Sequence, residues 1–170
     1  FMAWFIPNLN DQKNIIGLEI LASILSVGRN SRLVKILKED SNLVESVYVD
    51  VNAGELGGLF IMEASCESKD IDLVEKQINK TIDEISNCKA LALDEIKKAI
   101  NIVKSNYIFN LETSTQLSSF FGNELLWGRK SSINNLESHL KYWNDLDNFK
   151  EITEYIRGEK FTLVASPSKC

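Results

Sequence analysis

The sequence predicts an α+β fold, in which a mainly antiparallel β-sheet carries several helices packed on one face. Two short apolar segments, residues 47–51 and 59–66, are joined by a brief turn-prone connection, which favours an antiparallel hairpin or meander. The longer segments around them repeat apolar residues at helical spacing. The 170 residues are 44% hydrophobic and 25% charged, which is ordinary for a globular domain. We therefore predict a single α+β domain over residues 1–170, in the order β-α-α-β-β-α-α-(α-α)-β.

The N-terminal segment predicts a strand followed by a long helix. Phe1–Ile6 is apolar, and Pro7 ends this strand because proline has no backbone N–H to give to a sheet. Asp11 can cap the helix by accepting backbone N–H groups, and the apolar residues of 16–25 line its buried side. Gly28 ends the helix, since glycine readily adopts the left-handed conformation found after helix C-termini.

A second amphipathic helix and the hairpin follow Gly28. Asn30 or Ser31 can cap this helix, and residues 33–37 supply its apolar stripe while lysine and acidic side chains point to water. Residues 47–51 then alternate apolar and polar side chains, which predicts a half-buried strand.

Two long helices are predicted after the hairpin. Asp70 or Asp72 opens the third helix, and the spacing of Asp72 and Glu75 is that of a capping box. The acidic residues at 94 and 95 suit the positive end of the fourth helix, which continues to Tyr107.

The C-terminal part predicts further helices and a last strand. Residues 112–127 bend or restart as a fifth helix, with Thr113 or Ser114 as its cap and Gly128 as its end. Two shorter helices occupy residues 133–156, and the strand of residues 161–165 is closed by Pro167. The aromatic residues on these helical faces are expected in the core rather than on a base-stacking platform: they are Phe120, Phe121, Trp127 and Trp143.

The charge balance argues against two classes of partner. The formal net charge is −5 at pH 7 and the sequence pI is about 5.0, so neither nucleic acid nor an anionic membrane surface is expected as a partner. No uninterrupted apolar run reaches the roughly 18–20 residues that a membrane-spanning helix needs.

The cysteines and the N-terminus weakly favour an intracellular, cytoplasmic location. Cys66, Cys88 and Cys170 are odd in number and widely spaced, which fits reduced thiols better than a disulfide framework. Phe1–Ile6 is apolar but lacks a basic leader and is too short for a signal peptide. A start at Phe1 suggests a piece of a longer chain.

The residues that could carry hydrolytic chemistry are too few for an independent metal site. A catalytic zinc needs about three protein ligands plus an open position, whereas His139 is the only histidine. We therefore expect His139 to be a solvated or locally hydrogen-bonded helix residue, with no catalytic or metal-binding residue in this chain. Cys66 is expected as a small core residue rather than a reactive thiol, and residues 54–58 as a hairpin rather than a phosphate loop.

Residues 28–47 nevertheless resemble a known family. Gly-Arg-Asn-Ser-Arg-Leu at 28–33, Leu-Lys-Glu-Asp at 37–40 and Leu-Val-Glu-Ser-Val at 43–47 are similar to the Gly-x-Ser-Ser-Arg-Leu … Leu-Arg-Glu-Lys … Leu-Ala-Tyr-Ser-Val segment of the insulinase-like zinc metallopeptidases, also called pitrilysin-like or mitochondrial-processing-peptidase-like. Weaker matches follow in the family's order at residues 1–11, 70–75, 94–99, 111–122 and 161–167.

The resemblance implies a role without chemistry of its own. The family pairs two similar α+β halves into a clamshell: one half carries His-x-x-Glu-His and zinc, and the other helps to form the chamber that holds the peptide. The chain resembles the second, C-terminal half of such a two-half peptidase. No cofactor is then expected in this chain, zinc is expected in the partner half, and the partners are that half, on the same chain or in a homo- or heterodimer, and a peptide substrate.

One departure from the family pattern concerns the residues that reach across to the zinc half. Many members have an Arg and a Tyr at the positions of Lys38 and Glu45. Lys38 keeps the positive charge without the bidentate fork, so it is the one candidate substrate-binding residue. Glu45 puts an anion where the family has a neutral donor. Two alternatives remain: a structural or assembly subunit derived from the family, as occurs in respiratory complexes, or a stand-alone enzyme using Cys66 or acidic residues.

Overall fold

The computed structural model describes residues 1–87, 91–126 and 132–166, and it confirms the predicted α+β fold. Its sheet has four described strands, β1 (Met2–Ile6), β2 (Ser46–Ala53), β3 (Gly58–Ser65) and β4 (Lys160–Thr162). Their spatial order is β2-β3-β1-β4, and every neighbouring pair is antiparallel. Strand β1 thus pairs with β3 of the hairpin, and β4 pairs with β1 at the opposite edge of the sheet.

The two faces of the sheet differ in burial, as the predicted one-sided packing requires. Trp4, Phe60 and Met62 point to the helices and are almost completely buried. On the opposite face, the side chain of Phe5 is 86% exposed and that of Phe161 is 66% exposed. The helices therefore cover one face only within the part of the chain that the structure describes.

Six α-helices are described, and the first lies at the centre of the fold. They are α1 (Gln12–Ser26), α2 (Ile71–Ser86), α3 (Leu93–Phe109), α4 (Ser114–Leu126), α5 (Leu136–Trp143) and α6 (Leu146–Thr153). Helix α1 contacts β2, α3, α5 and α6, and ten of its 15 residues are buried. Short 3₁₀ turns occupy Ser68–Asp70, Ser132–Asn135 and Glu154–Ile156, and Val34–Asp40 is a π-helix.

Several predicted caps are confirmed. The Asp11 carboxylate accepts the backbone N–H of Asn14 at 3.4 Å, and Gly28 has φ +87° after the end of α1. At the start of α4, the Thr113 hydroxyl accepts the N–H of Gln116 and the Gln116 side chain accepts the N–H of Thr113, each at 3.2 Å. This reciprocal pair is the capping-box arrangement.

Other local predictions are wrong. The Ser31 hydroxyl donates to the Gly28 carbonyl at 2.7 Å, so it closes the turn instead of capping the second helix, which widens into the π-helix. Helix α2 begins at Ile71 without a side-chain cap, so the predicted capping box does not form. Phe121 is 40% exposed because little of α4 faces the described core, and strand β4 ends at Thr162, three residues before the predicted boundary.

Some predictions fall on residues that the structure does not describe. These are the end of the fifth helix at Gly128, the closing Pro167, the core position of Trp127, and the thiols of Cys88 and Cys170.

Candidate functional site

The corner between the π-helix and β2 contains both positions that the sequence singled out. The carbonyl of the buried Leu37 accepts the backbone N–H groups of Leu43 at 2.7 Å and Val44 at 3.3 Å. Asn42 has φ +51°, a left-handed conformation that asparagine tolerates better than most residues. The chain therefore reverses directly after the π-helix and returns beside it.

This reversal brings Lys38 against Glu45. The Lys38 ammonium donates to the backbone carbonyl of Glu45 at 2.7 Å, while the backbone N–H of Glu45 donates to the Ser65 carbonyl at 2.8 Å. The contact uses the backbone of Glu45 and not its carboxylate. Because an ammonium has three N–H donors, exposed Lys38 keeps donors for a further ligand, and the Glu45 side chain also points to solvent.

Two arginines of the Gly-Arg-Asn-Ser-Arg-Leu segment fix this corner. Arg29 forms a two-pronged ion pair with Glu39 at 2.8 and 3.3 Å on the exposed surface. Arg32, whose side chain is only 14% exposed, grips Glu95 with N–O distances of 2.7 and 3.0 Å. Bidentate pairs of this kind define orientation as well as energy. The corner is therefore tied to the start of α3.

Glu95 links this ion pair to the cap of α3. One of its carboxylate oxygens also accepts the backbone N–H of Ala92 at 3.0 Å. Partial burial acts to raise the pKa of Glu95, but the hydrogen bonds from Arg32 and Ala92 outweigh it, and the pKa is lowered. The sequence predicted that Glu95 suits the helix start, but its partner lies 63 positions away and gave no local signal.

A second polar site, which the sequence did not predict, lies where α1 and α3 meet the edge of β2. Glu19 is the only acidic residue of α1, and the Tyr107 hydroxyl on α3 donates to it at 3.5 Å. Burial raises the pKa of Glu19 to about 7; the Tyr107 hydrogen bond opposes this and the nearby Asp50 charge adds to it. The signal in the sequence for this site was a single acidic residue in a mainly apolar helix.

His139 differs from the predicted solvated or hydrogen-bonded residue at its Nδ1 atom, whereas Cys66 packs as predicted. His139 on α5 is partly buried, and its Nδ1 has no hydrogen-bond partner among the described residues; burial and the nearby Lys13 lower its pKa, against an opposing effect of Asp11. Cys66, just after β3, packs against the core. Burial raises the pKa of its thiol, which reduces the fraction of reactive thiolate at neutral pH.

The described ranges contain neither a cluster of metal-ligating side chains nor a membrane-spanning helix. No group of three or more His, Cys, Asp or Glu there is arranged to hold a metal ion. No helix in those ranges is long and apolar enough to cross a membrane.

Comparison with known proteins gives a consistent result. The family model described as the peptidase M16 inactive domain matches residues 1–103. An uncharacterised zinc protease of Streptomyces coelicolor is 28% identical over 118 residues, which cover 69% of this chain and 26% of that protein. Subunit alpha-2 of the mitochondrial processing peptidase of Dictyostelium discoideum is 28% identical over 127 residues, covering 69% of this chain and 28% of that subunit.

The fold is shared with solved structures as well. A protease from Helicobacter pylori superposes with a TM-score of 0.80 at 16% identity, over 91% of this chain and 37% of that protease. The chain spans about a quarter of the length of the two curated relatives, the zinc protease of Streptomyces coelicolor and the processing-peptidase subunit of Dictyostelium discoideum.

Proposed function

Since the chain belongs to the family of peptidase M16 inactive domains, we propose that it is the non-catalytic, chamber-forming domain of a zinc peptidase. The observation that carries the proposal is the match of the inactive-domain model to residues 1–103, in agreement with the insulinase-like pattern of residues 28–47. The zinc site would belong to a separate half with a His-x-x-Glu-His motif, on the same longer chain or in another subunit.

The composition of the chain supports the assignment of the zinc site to a separate half. A catalytic zinc needs about three protein ligands, and the one histidine, His139, is partly buried beside Lys13. What the described part of the chain offers is a sheet with one face that its helices do not cover and a hydrogen-bonded corner at Lys38. Such features suit the holding of a peptide and the pairing with another domain better than they suit bond cleavage.

The native assembly tests the proposal. The chain would be tagged in its own cells, purified under mild conditions, and assayed for zinc, for cleavage of an unfolded peptide and for the sequence of every attached or co-purifying segment. We expect one zinc per assembly, a segment with His-x-x-Glu-His, and cleavage that a chelator abolishes. Replacing the glutamate of that motif by glutamine is the matched control, which should stop cleavage while the assembly stays intact.

We propose further that Lys38 contacts the held peptide. Its ammonium is exposed and anchored by the Glu45 carbonyl, so a positive charge stands at a defined place. In the active assembly, Lys38→Met should raise KM several-fold with little change in kcat, because a contact made equally in ground and transition states affects binding alone. Lys38→Arg should restore KM, and Lys35→Met, at an exposed site on the same segment, should not change it. Equal KM values for Lys38→Met and Lys35→Met would remove Lys38 from the substrate site.

One observation favours the second candidate, an assembly subunit without peptidase activity. At the corner, the side chain of Glu45 carries a negative charge and points to solvent, whereas many members of the insulinase-like family have a tyrosine, a neutral hydrogen-bond donor, at this position. A negative charge there would oppose a developing oxyanion. A native assembly with a stoichiometric partner but neither zinc nor cleavage would select this function and refute the first.

A further inference from the structure

We propose that the cavity between α1, α3 and the edge of β2 binds a basic side chain of a polypeptide, either the guanidinium of arginine or the ammonium of lysine. The chemistry of the cavity stands independently of the proposed function. Whether that side chain belongs to a peptide held in the chamber or to the partner half depends on the proposed function.

The cavity has a volume of about 370 Å³, which is within the range of small-ligand sites. Its wall combines residues of four elements: α1 contributes Glu19 and Ser23, β2 contributes Tyr48 and Asp50, α3 contributes Tyr107, and α4 contributes Phe120. Tyr48 and Asp50 are exposed, so the cavity is open to solvent on the side of β2. A ligand can therefore enter without unfolding the domain.

The charges of the wall are of one sign. Glu19 and Asp50 come from different elements and are close enough for their charges to interact. No Lys, Arg or His is among the residues that line the cavity, and neither carboxylate forms an ion pair within the described residues. Tyr107 supplies one hydrogen bond to Glu19, at a long 3.5 Å. Among the residues that the structure describes, the wall therefore presents acidic groups without a matching cation.

A buried hydroxyl gives independent support. Ser23 is 5% exposed, lines the cavity, and its Oγ has no hydrogen-bond partner in the described part of the chain. Ser26, one turn later, differs: its hydroxyl accepts the Val49 N–H at 3.1 Å and donates to the Ala22 carbonyl at 3.3 Å. A buried hydroxyl without a hydrogen-bond partner is unfavourable, and an N–H donor of a ligand would supply the missing partner.

The mixture of groups selects an organic cation. Carboxylates and a hydroxyl accept hydrogen bonds, and guanidinium and ammonium groups carry several N–H donors and no acceptor. The rings of Tyr48, Tyr107 and Phe120 favour a cation with an apolar stem, since aromatic faces attract positive charge. A bare metal ion fits poorly because hard cations require six or more oxygen ligands, which the wall does not supply.

The pH dependence of binding follows from Glu19. The groups that interact with it are Tyr107 on α3 and Asp50 on β2. Tyr48 on β2 lines the same cavity, and the lining residue of α4 is the uncharged Phe120. Burial raises the pKa of Glu19 to about 7, and a cation binds the ionised form. The affinity should therefore rise between pH 5.5 and pH 8 as Glu19 loses its proton, by up to roughly 30-fold, which is the ratio of the ionised fractions at these two pH values.

Binding of N-acetyl-arginine methylamide to the 170-residue chain, followed by NMR titration, tests the proposal. The neutral citrulline analogue is the matched ligand control. We expect arginine to bind with the stated pH dependence and citrulline to bind at least tenfold more weakly. Glu19→Gln should weaken arginine binding at pH 8 by about the same factor as the pH change and abolish the pH dependence, whereas Glu63→Gln, at an exposed acid outside the cavity, should bind like the parent.

Asp50→Asn changes an exposed residue, so this variant should fold even if Glu19→Gln disturbs the core. It should weaken arginine binding several-fold. Equal affinities for arginine and citrulline, or equal effects of Glu19→Gln and Glu63→Gln in folded protein, would overturn the proposal. Repeating the titration on the native assembly separates the two sources: a peptide site stays open to the probe, whereas a site filled by the partner half excludes it. Loss of peptidase activity in that assembly bears on the proposed function and not on this site.

Discussion

Helices α1 and α4 are similar in length and both are rich in apolar residues, yet they differ in almost every contact they make. Ten of the 15 residues of α1 are buried, whereas Glu124 is the one buried residue that α4 contributes among its 13. Leu125 on α4 is 79% exposed. The difference shows that apolar content does not decide burial; position against the sheet does. Helix α1 supplies many of the core residues, and the apolar side chains of α4 contribute little to this core.

The largest expected effect follows from truncating α1 at its centre. Leu21 is completely buried, so Leu21→Ala removes packed methyl groups and leaves a cavity that the surrounding residues fill only in part. We expect a loss of about 2–5 kcal/mol in the free energy of unfolding, measured by urea denaturation with an unchanged slope. A loss below about 1 kcal/mol would mean that α1 is not the centre of the fold.

A pair of glycines sharpens the comparison by adding one methyl group to each helix. A Cβ at Gly17 would lie 2.6 Å from Cγ1 of Ile152 and 2.8 Å from Cε2 of Trp143, so Gly17→Ala overpacks the contact of α1 with α5 and α6. We expect a loss of about 1–3 kcal/mol in the free energy of unfolding, although alanine is the better helix former. A Cβ at Gly122 in α4 meets no atom of the described residues within 4 Å.

Gly122→Ala should therefore show the helix preference alone, a gain of up to about 1 kcal/mol in unfolding free energy. The two variants are compared by thermal and urea unfolding under the same conditions. The same sign for both changes would contradict the packing assigned to Gly17.

The link between the corner and α3 is expected to contribute less. Glu95→Gln removes one charge from the pair with Arg32 and weakens the bond to Ala92. We expect a loss of about 1 kcal/mol at pH 7, since solvent screens part of an incompletely buried pair. Because the pKa of Glu95 is lowered, its stabilisation is complete above the unfolded pKa near 4.5 and disappears as the pH falls through the folded value.

The measurement is urea unfolding of parent and Glu95→Gln between pH 7 and pH 3. The difference between them should shrink as the pH falls below about 4.5. The exposed pair offers a control, because Glu39→Gln breaks the contact with Arg29 at the surface and should change stability little. A Glu95→Gln deficit that stays constant over the whole pH range would show that the lost charge is not its cause.

The same contrast explains which features the sequence could predict. Helical periodicity and the turn at Gly28 are local, so the four strands, the positions of most helices and caps such as Asp11 and Thr113 were predicted correctly, although the predicted order has one helix fewer after the hairpin than the structure. The π-helical winding, the partner of Arg32 and the exposure of Phe121 depend on segments distant in sequence. For these features local pattern carries no information.

The candidate sites divide in the same way. Lys38 could be named from the motif, but its contact is the carbonyl of Glu45, which no side-chain pattern reveals. The cavity at Glu19 needs α1, α3 and the edge of β2 together, and only a lone acid in an apolar helix hinted at it. A family resemblance therefore locates motif positions, whereas a site built from several elements becomes visible only in the folded structure.

The smallest expected effect belongs to the exposed end of α4. Leu125→Ala removes a side chain that is 79% exposed, so little apolar surface returns to water and the free energy of unfolding should change by no more than about 0.5 kcal/mol. Leu125→Ala and Leu21→Ala delete the same atoms, so the ratio of their effects measures burial and nothing else. A loss above about 1 kcal/mol for Leu125→Ala would show that α4 packs more tightly in solution than its exposed surface indicates, and would remove the distinction between the two helices.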